Sequence, residues 1–509
     1  MDNCSTQLHK QLAEALRSSP SSVSLLTVEY DIREDQPEGT DVIRLDTASR
    51  GLIEKLIARR YPHLSQVDCS TIAKFSGGNA PVAISMGETV RGGESIRGLT
   101  DEELFQRLFL QRHPDDPDLN RAAQILSLVY SFNGENIDGV DAELPVLGNI
   151  SKLTADDLYS AAAELRQRNL IQSRGEWRAV LPHTVANRLA ALAMKAIPRH
   201  KLESAFINSG AERLLRSFTR RLGYLDTSTE AIAIVNGMLG QGGLLGDLTT
   251  FNEARMVMFE NIAPVCPAGA IDVIERALIQ PFEKTEPHLR AVVRLLRSLA
   301  YDSTSFERAV SCLEFRVRPK DEASVDEDPT NVLISLFHIY LSGTHATSQQ
   351  RIAIVRRWSS SEDARMQQLA VKALEALLET NHFSSSYGFE FGARSRDHGY
   401  HPKTHIEINE WYKLSLEHAE SVATSNVAIS PTVRAIIGRS LRGLWSGSRS
   451  HDQIEHISHN FAKLGFWREG WIGAGDALRY DSEGMTEPFQ ARRQRAKAMA
   501  FFSTISRKV

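Results

Sequence analysis

The carboxylate of Asp2 is the group in this chain best placed for chemistry. It is followed by a helical run and then by the apolar stretch Val23–Tyr30. An aspartate at the end of a strand in such an arrangement can hold the Mg²⁺ of a bound nucleotide. The plain alternative is a solvated residue near the chain start. No G-x-x-x-x-G-K-[ST] phosphate loop occurs in the 509 residues. Gly237-x-x-Gly240-x-Gly242-Gly243 follows a helical pattern and not a strand, the wrong order for a phosphate cradle. Asp397, His398 and His401 have spacing that could suit a metal, but loop polarity accounts for them more simply. The stretch 389–402 (FEFGARSRDHGYHP) crowds arginine and aromatic side chains between helices. It reads either as a packed insertion or as a binding loop. In the second case Arg394, Arg396 and Tyr400 are the candidate contacts for a protein partner. No Ser-His-Asp, Cys-His or paired-carboxylate constellation is readable, so no independent catalytic site is expected.

The elements that must position these residues follow from periodicity. Residues 7–18 place Leu8, Leu12, Ala15 and Leu16 on one helical face. Val23–Tyr30 has the character of a strand buried on both faces, and 41–45 that of a short strand. Residues 1–45 thus read as part of an α/β core. Helical patterns then cover 50–61, 66–75, 80–90 and 101–111, a small bundle within 46–116. The next unit, 117–199, has an apolar helix over 119–132 and a helix over 153–169 opened by a Thr154-x-x-Asp157 capping pattern. Two short strands around Arg174-Gly175 form a wing, and a helix runs from His183 to about Ala196. This is a winged-helix order. From 200 to 509 helix follows helix, including 329–341, in pairs spaced by about 35–45 residues, which suggests an α-helical repeat. Arg216, Arg220 and Arg221 read as a solvated basic face. The expected fold class is mainly α, with a remnant of an α/β core, a helical lid, a winged helix and a solenoid-like C-terminal region.

Composition is that of an ordinary globular protein: 42% hydrophobic and 24% charged residues, with a net charge of −4. Nothing in it demands nucleic acid. The helix over 153–169 carries Asp156, Asp157 and Glu164 against Arg166 and Arg168, which argues against a DNA-binding winged-helix regulator. The sequence has no apolar stretch of about 18 residues or more and no signal-like start, so no membrane association is expected. Cys4, Cys69, Cys266 and Cys312 are widely spaced, which points to reduced thiols and a cytoplasmic setting.

Taken together, the order of strand, lid, wing and helical repeats resembles the STAND class of signal-transducing NTPases, to which NOD-like receptors and bacterial antiviral receptors belong. The resemblance rests on motifs over residues 1–200 and on architecture alone beyond. It implies that Asp2 matches the Walker B aspartate and Mg²⁺ ligand. Gly78, Asn79 and Pro81 match the Gly-x-Pro element that packs on adenine, with Asn79 and Ala80 departing from its common form. His183, in Val180-Leu181-Pro182-His183-Thr184, matches the Met-His-Asp histidine that reaches the β-phosphate of ADP. Thr27 falls where a sensor residue ends a strand, with Glu29 in place of the family's arginine. Intact relatives use ATP or ADP with Mg²⁺; this chain, without the phosphate loop, is expected to bind neither tightly. The expectation is the C-terminal part of a nucleotide-dependent switch, in the manner of a bacterial defence receptor. A protein trigger would bind its helical repeats, and homo-oligomers would form on activation. The alternative is an ATPase completed by further N-terminal sequence or a separate subunit.

Overall fold

The computed structural model describes residues 11–12, 14–16, 48–100, 103–104, 107–108, 117–168, 170–280, 288–315, 329–385, 391–393, 396–448 and 450–480. Asp2, Thr27 and Arg394 lie outside them, as do the expected strands over 23–30 and 41–45. The protein is mainly α-helical. Its contacts divide into two compact units. Residues up to 246, with 251–266, form the first; residues 247–250 and those from 267 onward form the second. Residues 200–246 and 251–266, which the sequence pattern groups with the repeats, therefore pack with the first unit.

The first unit opens with three helices: α1 (Arg50–Arg60), α2 (Gln66–Ser76) and α3 (Ala80–Thr89). Their starts are set by side-chain caps on the first free N–H groups, from Ser49, Ser65 and Asn79 respectively. Gly77 ends α2 in the left-handed conformation that glycine adopts without steric penalty. Asp68, buried in α2, accepts hydrogen bonds from Ser65 Oγ at 2.5 Å, Ser95 Oγ at 2.8 Å and Ile96 N at 2.9 Å, tying the 95–96 turn to the bundle.

Next come α4 (Pro117–Ser127), β1 (Phe132–Asn133), α5 (Glu143–Ser151), α6 (Ala155–Gln167), β2 (Ile171–Arg174) and β3 (Trp177–Val180). The sheet is antiparallel with order β1-β3-β2, pairing Phe132 with Arg178 and Ile171 with Val180. A full capping box between Thr154 and Asp157 opens α6, and Gly175 turns the β2–β3 hairpin at positive φ. The helical pattern over 119–132 stops at Ser127. Beyond it, Tyr130 N donates to Ser217 O at 3.1 Å and Ser131 N to Ser217 Oγ at 2.9 Å. Those two N–H groups are thus withdrawn from the helix ladder, and Phe132–Asn133 becomes an edge strand instead.

Helix α7 (His183–Ala196) follows the β2–β3 hairpin. After it come α8 (Arg199–Leu202), a π-helical turn over Glu203–Ile207, α9 (Glu212–Leu222), α10 (Thr229–Leu239) and α11 (Glu253–Ile262). Arg213 of α9 makes a two-pronged ion pair with the buried Glu143 of α5. Its Nη2 also donates to Ser131 O at 2.9 Å, and its guanidinium lies 4.4 Å from the Trp177 ring centroid.

The second unit comprises α12 (Pro267–Leu278), α13 (Leu289–Leu299), α14 (Ser303–Glu314), α15 (Pro329–Ser335), α16 (Ser348–Ser359), α17 (Ala364–Leu377), α18 (His405–Thr424), α19 (Ser430–Gly447), α20 (His451–Leu464) and α21 (Arg468–Tyr480). From α16 to α19, each helix packs on the next and on the next but one, as stacked helical pairs do. The pattern read as a helix over 329–341 ends at Ser335. The carbonyls beyond it turn toward the fully buried Arg351, which donates to Leu336 O, His338 O, Thr344 O and Ala346 O at 2.7–3.2 Å. No helix among the described residues is long and apolar enough to cross a membrane.

Candidate functional site

Two structural features of the first unit meet at the start of α7. The first is the turn Gly77–Pro81. Gly77 and Gly78 both have positive φ, 57° and 85°. Asn79 accepts from Val82 N at 3.0 Å, and Pro81 sits in the first turn of α3, exposed. Ala48 N donates to Gly78 O at 3.3 Å, so the chain arriving from the N-terminal side touches this turn. A side chain at position 77 is excluded: its Cβ would fall 2.3 Å from Thr184 Cγ2. Thr184 Oγ1 in turn donates to Ser76 O at 3.5 Å, a long contact. One turn further along α7, Arg188 donates to Phe75 O at 3.0 Å and Lys74 O at 3.2 Å, with its guanidinium 5.0 Å from the Phe75 ring centroid. Thr184 and Arg188 together latch α7 onto the C-terminal carbonyls of α2, the groups a helix end leaves open.

The second is the environment of His183, the first residue of α7. Its N-cap is Pro182, whose side chain gives no capping bond, while Val185 N and Ala186 N donate to Pro182 O at 2.9 and 3.1 Å. The imidazole Nε2 and Tyr130 Oη share a hydrogen bond of 2.8 Å, and the two rings stack with centroids 4.4 Å apart. Tyr224 lies parallel to the imidazole at 6.5 Å. Arg220 lies over the Tyr130 ring at 3.6 Å and Arg221 at 5.3 Å. Arg221 is fully buried, and its hydrogen bonds go to neutral oxygens, Asn187 Oδ1 at 2.5 Å and Val129 O at 3.3 Å. Burial brings its guanidinium down to about 10, which leaves it charged at neutral pH. The basic face of α9 is therefore not a solvated one. Arg221 points inward, and Arg216 and Arg220 are half-buried. The arrangement is a positively charged, aromatic-lined cluster around one titratable ring, suited to contact an anion rather than to break a bond.

The structure thus brings the Gly77–Pro81 turn against the helix that His183 begins. Tyr130, Arg221 and the latch role of Thr184 and Arg188 are additions that sequence reading lacks. The signal for the latch was present, since Thr184 and Arg188 are four apart on a helix.

The described residues of the loop 389–402 are used inside the second unit. Arg396 donates to Ser298 O at 2.7 Å and lies between the Tyr301 and Phe391 rings, 4.3 and 4.1 Å from their centroids. Tyr400 N donates to Thr344 O at 2.8 Å, and its half-buried ring stacks on Trp411 at 5.7 Å. Asp397 accepts from Tyr301 Oη at 3.0 Å and faces His345 Nε2 at 2.9 Å, while His401 turns back on Gly399 O. Among the described residues no group of three or more His, Cys, Asp or Glu side chains is gathered as a metal site would need.

No family model matches the chain, and no curated protein matches it. Among solved structures, it is similar to a Signal Transduction ATPase with Numerous Domains (STAND) protein with a tetratricopeptide repeat sensor, from Pyrococcus horikoshii. The two are 15% identical over 93% of this chain and 76% of that one, with a TM-score of 0.17. A superposition that loose leaves fold and function to be argued from the chain itself.

Proposed function

We propose that the chain is the lid, winged-helix and helical-repeat part of a STAND-type nucleotide-dependent switch. The observation that supports this most is the meeting of the Gly77–Pro81 turn with the first turn of α7, directly after His183. In this reading Gly78, Asn79 and Pro81 approach an adenine, and His183 exchanges Tyr130 for a nucleotide phosphate. Asp2 and Thr27 belong to the part of the site that carries Mg²⁺ and the γ-phosphate. The second unit receives a protein trigger, as in a defence receptor, and release of the α2–α7 latch exposes a surface for self-association. Without a phosphate loop in the chain, ATP and ADP bind weakly and ATP is not turned over.

The switch reading is tested by hydrogen exchange on the wild type, Arg188→Ala and His183→Ala. Faster exchange confined to 74–80 and the first turns of α7, with a larger assembled species in light scattering, is the expected result. Unchanged exchange there, or a uniform rise over the whole first unit, rejects it. Micromolar ATP affinity with turnover that Asp2→Ala abolishes would instead establish a complete ATPase.

A further inference from the structure

A cleft of about 510 Å³ opens beside α2, lined by cations from three separate helices: Arg50 of α1, Lys74 of α2 and Arg188 of α7. Gln66, Ser70 and Lys74 follow one another at four-residue spacing, so α2 offers the cleft a single polar stripe. None of the described residues lining it is acidic. Glu54 engages Arg50 only through Nε, at 3.0 Å, while Arg50 Nη2 donates to Ser70 Oγ at 2.5 Å. Lys74 is exposed and forms no ion pair among the described residues. Arg188 is oriented by its bonds to Phe75 O and Lys74 O before anything enters. Leu99 and Leu104 add apolar lining.

We propose that this cleft binds a phosphate-bearing small molecule, with the phosphate held between Arg50, Lys74 and Arg188. Three like charges converging from three helices repel one another, and an anion removes that repulsion. Guanidinium forks match phosphate oxygens better than they match a single carboxylate oxygen, and two of the three cations are arginines. The volume falls in the range of small-ligand sites, about 300–1,000 Å³. Arg188 serves both the cleft and the α2–α7 latch, so an occupant acts directly on the contact between the helical bundle and α7. The inference uses no atom of His183 or of the Gly77–Pro81 turn and goes beyond the nucleotide reading.

The test is titration calorimetry of the full chain with pyrophosphate at low salt. Saturable binding is expected, weakened about tenfold by Lys74→Ala and by Arg50→Ala, each removing one charge-assisted contact. Lys74→Arg should retain it, and so should Lys403→Ala, an exposed lysine of the second unit that serves as control. Melting curves check that the variants fold, and both key side chains are exposed. Absence of saturable heat with the wild type overturns the proposal, as does equal binding of a glutamate peptide. Loss of binding on His183→Ala with Lys74→Ala silent overturns it too, while leaving the nucleotide reading standing.

Discussion

Asp68 shows how much one side chain can hold in place. Burial works to raise its pKa, yet the hydrogen bonds from Ser65, Ser95 and Ile96 N prevail and hold the carboxyl below the usual range. The folded chain therefore binds this proton less readily than the unfolded one. The resulting stabilisation is complete above the unfolded carboxylate's pKa of about 3.9 and is lost as pH falls through the folded value. Asp68→Asn should destabilise the first unit by about 1–3 kcal/mol at pH 7, because one of the two oxygens that accept these bonds becomes an NH₂ donor and the charge that strengthens them is lost. In urea unfolding the gap between wild type and variant should narrow steadily below pH 4; a gap independent of pH would contradict this account. At this scale legibility is uneven. His183, Gly78 and Asn79 could be singled out because their types and order carry meaning locally. Arg221 and Arg351 could not, because the oxygens that solvate them, Val129 O or Leu336 O, belong to backbone that any residue would supply.

The limits of the elements follow the same logic. Starts at Arg50, Gln66 and Ala155 could be read because Ser49, Ser65 and Thr154 cap them from the adjacent residue. Ends at Ser127 and Ser335 could not, since both are imposed by groups remote in sequence, Ser217 and Arg351. The Glu143–Arg213 pair is a further case: it joins α5 to α9 across the edge strand β1, where Asn133 N also donates to Glu143 Oε2 at 2.7 Å. Breaking a buried pair from one side leaves the other charge stranded. Arg213→Ala should therefore cost about 3–5 kcal/mol, and Arg213→Met with Glu143→Leu distinctly less. Chemical unfolding followed by circular dichroism measures both; equal losses in the single and double variants would reject the pair as the cause.

Over the whole molecule, the mainly helical character, the short strands around Arg174-Gly175 and the helix from His183 were visible in the sequence, because hydrophobic period and turn residues encode them. The division of the chain was not. Residues 200–246 and 251–266 have the same helical pattern as those after 267, and only contacts such as Ser217 with Ser131 assign them to the first unit. The second unit has a consequence in mechanical terms. From α16 to α21 its helices pack mainly on near neighbours, so tension applied along the array is borne by one short junction at a time. Under an optical trap it should lengthen by a staircase of small, reversible rips, like a spring being uncoiled, while the interlocked first unit should yield in one larger event. A single cooperative rip for residues 267–480 would show that the array bears load as a block.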